Sequence, residues 1–147
     1  MEGSTQFQKF IMQLTYQNVL ILRAALLTLD GLDQPVEVRG QLQLVKKPFT
    51  FSGRCRLKIA RNLRAVEAAF QDYDAARIGL VRELADGADQ VPDGLLPKFH
   101  ALHADLLQEQ ADVPLTPLAD DELNLDDNQI PHGVLAILLQ YLIQAES

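Results

Sequence analysis

The feature that most constrains this chain is an apolar seam running from residue 59 to residue 84. Ile59, Leu63, Val66, Phe70, Tyr73, Leu80 and Leu84 recur at alternating steps of four and three, and Arg77 stands at the one place where the rhythm fails. A helical turn of about 3.6 residues stacks such positions on one side, so the seam predicts a single long helix. Ser52 suits its start, because a serine hydroxyl accepts an early backbone N–H. Asp86-Gly87 suits its end, since glycine takes the left-handed turn that closes a helix. A rod of that length with one greasy stripe needs other elements to cover it, and the rest of the chain supplies them.

Upstream, Phe10, Met12 and Leu14 suggest a short strand within residues 8–14. Thr15 is placed to cap a helix over Tyr16 to Leu29, which Asp30-Gly31 ends. Residues 36–45 read differently. Val36, Val38, Leu42 and Leu44 hold even positions, whereas Glu37, Arg39, Gln41 and Gln43 hold odd ones. That period of two predicts a half-buried strand, bulged or turned at Gly40. Downstream, Phe99, Leu102 and Leu106 mark a shorter helix over about 95–110. Pro114 and Pro117 limit residues 111–118 to an extended segment at a sheet edge. An acidic loop at 120–127 leads to a last helix from Pro131 to Gln144 that is apolar nearly all round.

These elements predict an α+β fold, predominantly helical, with four helices and a small antiparallel sheet of short strands. The strands are the segments near 8–14, 36–45 and 112–118. The 147 residues suit a single domain, with residues 1–6 as a loose N-terminus. One cysteine, Cys55, excludes an intrachain disulfide. The first residues lack the basic start of a secretory signal, and the longest apolar runs fall short of the ~20 residues a membrane helix needs. The formal charge of −7 disfavours indiscriminate binding to nucleic acid or anionic membrane.

The charge is uneven. Lys46, Lys47, Arg54, Arg56, Lys58, Arg61 and Arg64 make up more than half of the thirteen basic residues, and no acid interrupts them from 46 to 64. Cations at the start of a helix oppose its macrodipole, so something should offset them. One reading is a surface for an acidic protein partner, or for the phosphates of a nucleic acid. The blander reading is internal pairing with Glu67, Asp72 or the Asp120-Asp121-Glu122 loop, or plain solvation. Of the two ligand classes a protein is favoured, because exposed aromatics are not interleaved with the basic residues.

Other chemistry is weakly signalled. His100 and His103 with Asp105 share a helix face, but there is no third His or Cys at a natural spacing for a metal. Cys55 lies among arginines near a helix start, a setting that lowers a thiol pKa and favours labelling, although the default reading is a quiet, partly buried thiol. No histidine or glycine-rich motif surrounds it to suggest a nucleophile. Asp126, Asp127 and Asn128 read as partners for the dipole of the last helix rather than as catalytic acids. The sequence therefore suggests no cofactor, no metal and no catalytic residues. On the last helix Val134, Ile137 and Tyr141 form one stripe and Leu135, Leu138, Leu139 and Leu142 another. Either both are core, or the outer one is kept for a partner, with Leu135, Leu138 and Leu142 as its contact residues. They join Lys46, Lys47, Arg54, Lys58, Arg61 and Arg64 as candidate partner-binding residues, for a second copy or another protein.

The order of elements resembles an uncharacterised family of small helical proteins encoded by tailed phages and prophages. The similar stretches are Leu14-Thr15, Leu26 to Leu29, Leu57-Lys58-Ile59-Ala60-Arg61-Asn62-Leu63, Tyr73 to Arg77, and Asp112-Val113-Pro114-Leu115. The strand-like Val36 to Val45 looks like an insertion relative to it. The resemblance implies a phage or prophage origin and a non-enzymatic role through protein contacts, in the virion or in the cytoplasm of the bacterial host. A nucleic-acid-associated role for the basic face at 46–64 is the alternative.

Overall fold

The computed structural model describes residues 9–143, with no side-chain description for 32–34. The loose terminus expected at residues 1–6 and the last residue expected of the final helix lie outside that range. Four α-helices stand among the described residues: α1 (Tyr16–Thr28), α2 (Gly53–Ala85), α3 (Leu96–Gln108) and α4 (His132–Tyr141). The strands are β1 (Phe10–Thr15), β2 (Leu32–Val38), β3 (Gln41–Lys47) and β4 (Gln110–Leu115). The α+β, helix-dominated class expected from the sequence is what the chain adopts.

The caps work as their chemistry requires. Thr15 accepts the N–H of Asn18 at 3.2 Å, and Ser52 accepts that of Cys55 at 3.1 Å. Asp86 closes α2 in the left-handed conformation. The helix α1 stops at Thr28 and Gly31 does a different job from the one expected. Its φ is +143°, and a Cβ there would lie 2.7 Å from the carbonyl oxygen of Lys47. Glycine is therefore required where the chain leaves α1 and β2 and β3 converge.

The first and last segments expected to form strands do pair. β1 and β4 run antiparallel, with Met12 opposite Val113 and Leu14 opposite Ala111. Residues 36–45 do not join them. They fold on themselves as a separate two-stranded hairpin, β2 with β3, in which Val38 faces Gln41 across the turn Arg39-Gly40. Both turn residues have positive φ, +54° and +79°, the requirement of the tight turn that suits twisted strands.

The core lies between α1, the first half of α2, the β1–β4 ribbon and α4. Val19, Leu22, Leu26, Val66, Val113, Leu115, Leu118, Leu123, Leu138 and Leu142 are its large, fully enclosed apolar side chains. The buried line of α2 is not quite the apolar seam. It is Cys55, Lys58, Asn62, Val66, Ala69 and Tyr73. Ile59, Leu63 and Phe70 flank that line, half-buried against the core. Two polar residues thus sit where leucines would be expected, and each meets a specific polar partner.

Asn62 is wholly enclosed. Its amide donates to the carbonyl of Thr116 at 2.9 Å and accepts the Thr116 N–H at 2.6 Å. The chain after β4 cannot continue the ladder past Pro117, and Asn62 provides the two bonds a neighbouring strand would have given. Two residues on, Leu118 donates its N–H to the carbonyl of Leu142 at the end of α4. A buried side chain on α2 therefore fixes the segment from which the last helix is hung. Replacing Asn62 with Ala leaves the N–H and C=O of Thr116 unsatisfied in the interior. Urea unfolding should show a loss of about 3 kcal/mol, from one to three per orphaned group. An unchanged midpoint would mean that water or a shifted backbone replaces the amide.

Candidate functional site

The front of α2 is where the sequence placed its cations, and most of those described there are held by the protein itself. Lys58 is buried. Its Nζ donates to Oε1 of Glu122 at 2.6 Å, with side-chain exposures of 11% and 14% for the two partners. Glu122 comes from a short 3-10 turn, Asp120–Leu123, and Oε1 also accepts the N–H of Ala119 at 2.8 Å. Arg56 folds back along the chain, donating to the carbonyl of Phe49 at 3.0 Å and to that of Phe51 at 3.2 Å. Lys46 reaches Asp30 at 3.1 Å in solvent. Arg54 and Arg61 also make interactions within the chain. Lys47 and Arg64 are exposed.

Lys58 follows the reading of internal pairing with the Asp120-Asp121-Glu122 loop, and the alternative in which it faces a partner is corrected. It lies three residues after Cys55 and four before Asn62, on the inward line of the helix, and its charge is spent on Glu122. Glu67, one of the acids considered as an internal partner, instead meets Arg23 of α1, whose guanidinium lies 4.0 Å from the Phe70 ring centre. Asn128 is buried as well. It accepts the N–H of Thr50 at 2.7 Å and donates to the carbonyls of Thr50 and Leu123 at 2.8 and 2.9 Å. It holds the approach to α2 against the acidic loop rather than serving the dipole of α4, which starts at Pro131 without a side-chain cap.

Electrostatics follow from this packing. Burial opposes ionisation of Glu122. The hydrogen bonds from Lys58 and Ala119, with the charges of Lys58 and Arg54, outweigh it and draw the pKa below the ordinary carboxylate value. Cys55 goes the other way. Burial and the Glu122 carboxylate overcome the nearby Lys58 and Arg56, and the thiol is pushed up to about 11. The quiet thiol of the default reading is what the packing gives, and the thiolate character suggested by the arginine-rich neighbourhood is corrected, because full enclosure withholds the water a thiolate needs.

His103 accepts or donates a 2.7 Å hydrogen bond with the Tyr73 hydroxyl and stacks on Phe99, with ring centres 5.5 Å apart. It ties α3 to α2. Among the described residues no group of three His, Cys, Asp or Glu side chains is arranged to hold a metal ion. On α4, Leu138 and Leu142 are completely enclosed. They follow the reading in which the stripe is core, and their place as contact residues is corrected, because α4 turns that side toward α1 and Leu118. Leu135 is half-buried and borders a groove of about 400 Å³ with Leu123, Leu125, Leu139 and Ile143.

The surface that sequence reasoning misplaced is the hairpin. Every described side chain of β2 and β3 is exposed, and neither strand packs substantially on any other element. Leu42 is 78% exposed and Leu44 is 74% exposed. The even-numbered apolar residues were expected to share one buried face. A two-residue turn makes each odd residue oppose an even one, so the parity reverses across it. Val36, Val38 and Val45 lie on one face, and Leu42 and Leu44 lie on the other with Pro35 and Glu37. The arm is consequently apolar on both faces. At its root a groove of about 520 Å³ is lined by Leu26, Leu27, Ile59 and Leu63, with Asp30, Lys46 and Arg56 at its rim.

Comparison with protein-family models, with curated proteins and with solved structures finds no match. No helix among the described residues is long and apolar enough to cross a membrane.

Two outcomes are expected from this site. Lys58→Met leaves Glu122 in a nearly closed pocket without its counter-charge, and should cost about 3 kcal/mol at neutral pH. Glu122 has a folded pKa below its unfolded one, so the pair's contribution is present above the unfolded value and lost as pH falls through the folded value. The deficit of Lys58→Met in chemical denaturation should therefore shrink toward acid, and a pH-independent deficit would place its cause in packing. Cys55, whose folded pKa is raised, holds its proton longer in the native state, so its contribution to stability falls as pH climbs from about 9 toward 11. A thiol reagent at pH 8 should label native protein at least ~100-fold more slowly than urea-unfolded protein, because reaction waits for opening.

Proposed function

We propose that this chain is a non-catalytic contact protein, and that the β2–β3 arm is the part of it that meets another protein. One observation carries the reading: a two-faced apolar hairpin stands clear of the domain that holds it. An isolated two-stranded hairpin is marginal in water, and three or more strands or a covering element make such a structure stable. Exposed contiguous apolar surface on an otherwise well-packed domain marks an interaction site. The arm leaves the domain at Gly31, with the exposed Lys46–Asp30 pair beside its root.

The phage or prophage origin implied by the resemblance belongs to this proposal, as does action in the virion or in the bacterial cytoplasm. Both rest on sequence patterning. The nucleic-acid alternative is weakened by the inward turn of Lys58 and by the engagement of Arg56 with backbone carbonyls, which leave fewer cations facing outward than the sequence promised.

A photo-activated cross-linking residue at position 42 tests the reading in cells that make the protein. Irradiation should give a covalent adduct with a protein of discrete mass. The same residue at Gln71, exposed on α2, should give none. Absence of an adduct at 42, or equal yields at 42 and 71, would remove the arm as the contact element.

A further inference from the structure

Building on the arm as contact element, we infer that its partner is a second copy of this chain, joined β3 edge to β3 edge in a four-stranded antiparallel sheet.

The two outer edges of the hairpin differ. In a two-residue hairpin the pair next to the turn, Val38 and Gln41, exchanges hydrogen bonds, and bonded pairs then alternate. Val36 with Gln43 is also a bonded pair, whereas Glu37–Leu42 and Pro35–Leu44 are not. Pro35 therefore occupies an outward-facing position of β2 where it has no N–H to offer. A proline there blocks strand addition, and Glu37 beside it adds a charge. On β3 the outward positions are Leu42, Leu44 and Lys46, and all three have a backbone N–H and C=O to give. One edge is closed by its chemistry and the other is open.

A two-fold axis through Leu44 uses the open edge fully. Leu44 faces Leu44 of the second copy, and Leu42 faces Lys46 of the second copy at each end. No other two-fold register pairs all three outward residues. Here the lysines sit at opposite ends of the shared ladder, so like charges are not opposed. Glu37 and Lys46 of the second copy fall on the same face, separated by one strand. The four leucines at positions 42 and 44 cluster on that face. Antiparallel pairing also carries the tip of each arm to the root of the other, beside the groove lined by Leu26, Leu27, Ile59 and Leu63. Such an interface is isologous and closes at two copies.

The test uses the full chain in sedimentation or light scattering. The wild type should have twice the 16.4 kDa chain mass at micromolar concentration. Leu44→Pro removes the outward N–H and leaves the inward ladder of the hairpin in place. It should weaken association ~30-fold or more through the two symmetric bonds lost. Leu44→Lys, which opposes two like charges on the axis, should act in the same direction. Circular dichroism should stay as in the wild type for both, and the thermal midpoint should match that of wild type diluted until it is monomeric. Cysteine at position 44 should oxidise to a linked dimer, since α-carbons about 5.5 Å apart are within disulfide reach. Cysteine at position 36, on the closed strand, should not. A monomeric wild type overturns the self-pairing and, if the adduct at position 42 forms with a different protein, leaves the arm as a contact element. A dimer indifferent to Leu44→Pro and Leu44→Lys overturns it too, because association then uses another surface.

Discussion

The side-chain amide of Asn62 bears more of this structure than any apolar contact does. It is enclosed on the inward line of α2 and meets both backbone groups of Thr116. Thr116 follows β4, two residues before Leu118, whose N–H is bonded to Leu142. The β1–β4 ribbon, the long helix and the last helix are thus connected through one residue. A leucine at 62 would fill the space and leave two backbone groups dry, at a cost comparable to the burial it gained. Hydrophobic burial makes the domain collapse. The Asn62 bonds decide how the chain after β4 lies on α2 once it has collapsed.

Lys58 and Asn128 extend the same device. Lys58 takes hold of the 3-10 turn through Glu122, and Asn128 grips Thr50 from the far side of that turn. Segment 116–128 has few regular backbone bonds of its own, yet it is anchored at three points to the start of α2 and its approach. Polar networks of this kind add little net stability when complete and cost much when broken. What they contribute here is a single arrangement for a stretch that apolar packing alone would leave ambiguous.

Local chemistry was legible in the sequence. The hydroxyls of Thr15 and Ser52, the Asp86-Gly87 stop and the spacing from Ile59 to Leu84 each specify a helix boundary or face through interactions within a few residues. The β1 segment shows in the partial alternation of Phe10, Met12 and Leu14, and the β4 segment only as an extended stretch that Pro114 and Pro117 keep at an edge. Two things were not legible. The Asp120-Asp121-Glu122 loop is an internal partner the sequence offers the basic cluster, but nothing local tells that Lys58 is the cation it takes. Nor does anything near Asn62 announce Thr116, which the fold brings to it from far along the chain. The fate of residues 36–45 turned on one geometric fact. Even-numbered apolar residues share a face in a single strand, but a turn at Arg39-Gly40 divides them between two faces. Extended backbone interrupted by a bulge or turn at Gly40 is legible in the letters, and of the two the turn is what forms, whereas a half-buried face follows only for a strand that runs on.

The same reversal explains why the arm is an unusual surface. A hairpin with all its apolar residues on one face could lie down on its own domain, where the groove by Leu27 and Ile59 is open. Dividing them removes that solution, because covering either face leaves the other in water. What both faces tolerate is a wider sheet, in which added strands shield the open backbone edge and crowd apolar side chains against one another on each side. Pro35 permits widening in one direction only. The geometry of the turn, the position of one proline and the glycine at the root together set the direction in which this domain can recruit a neighbour.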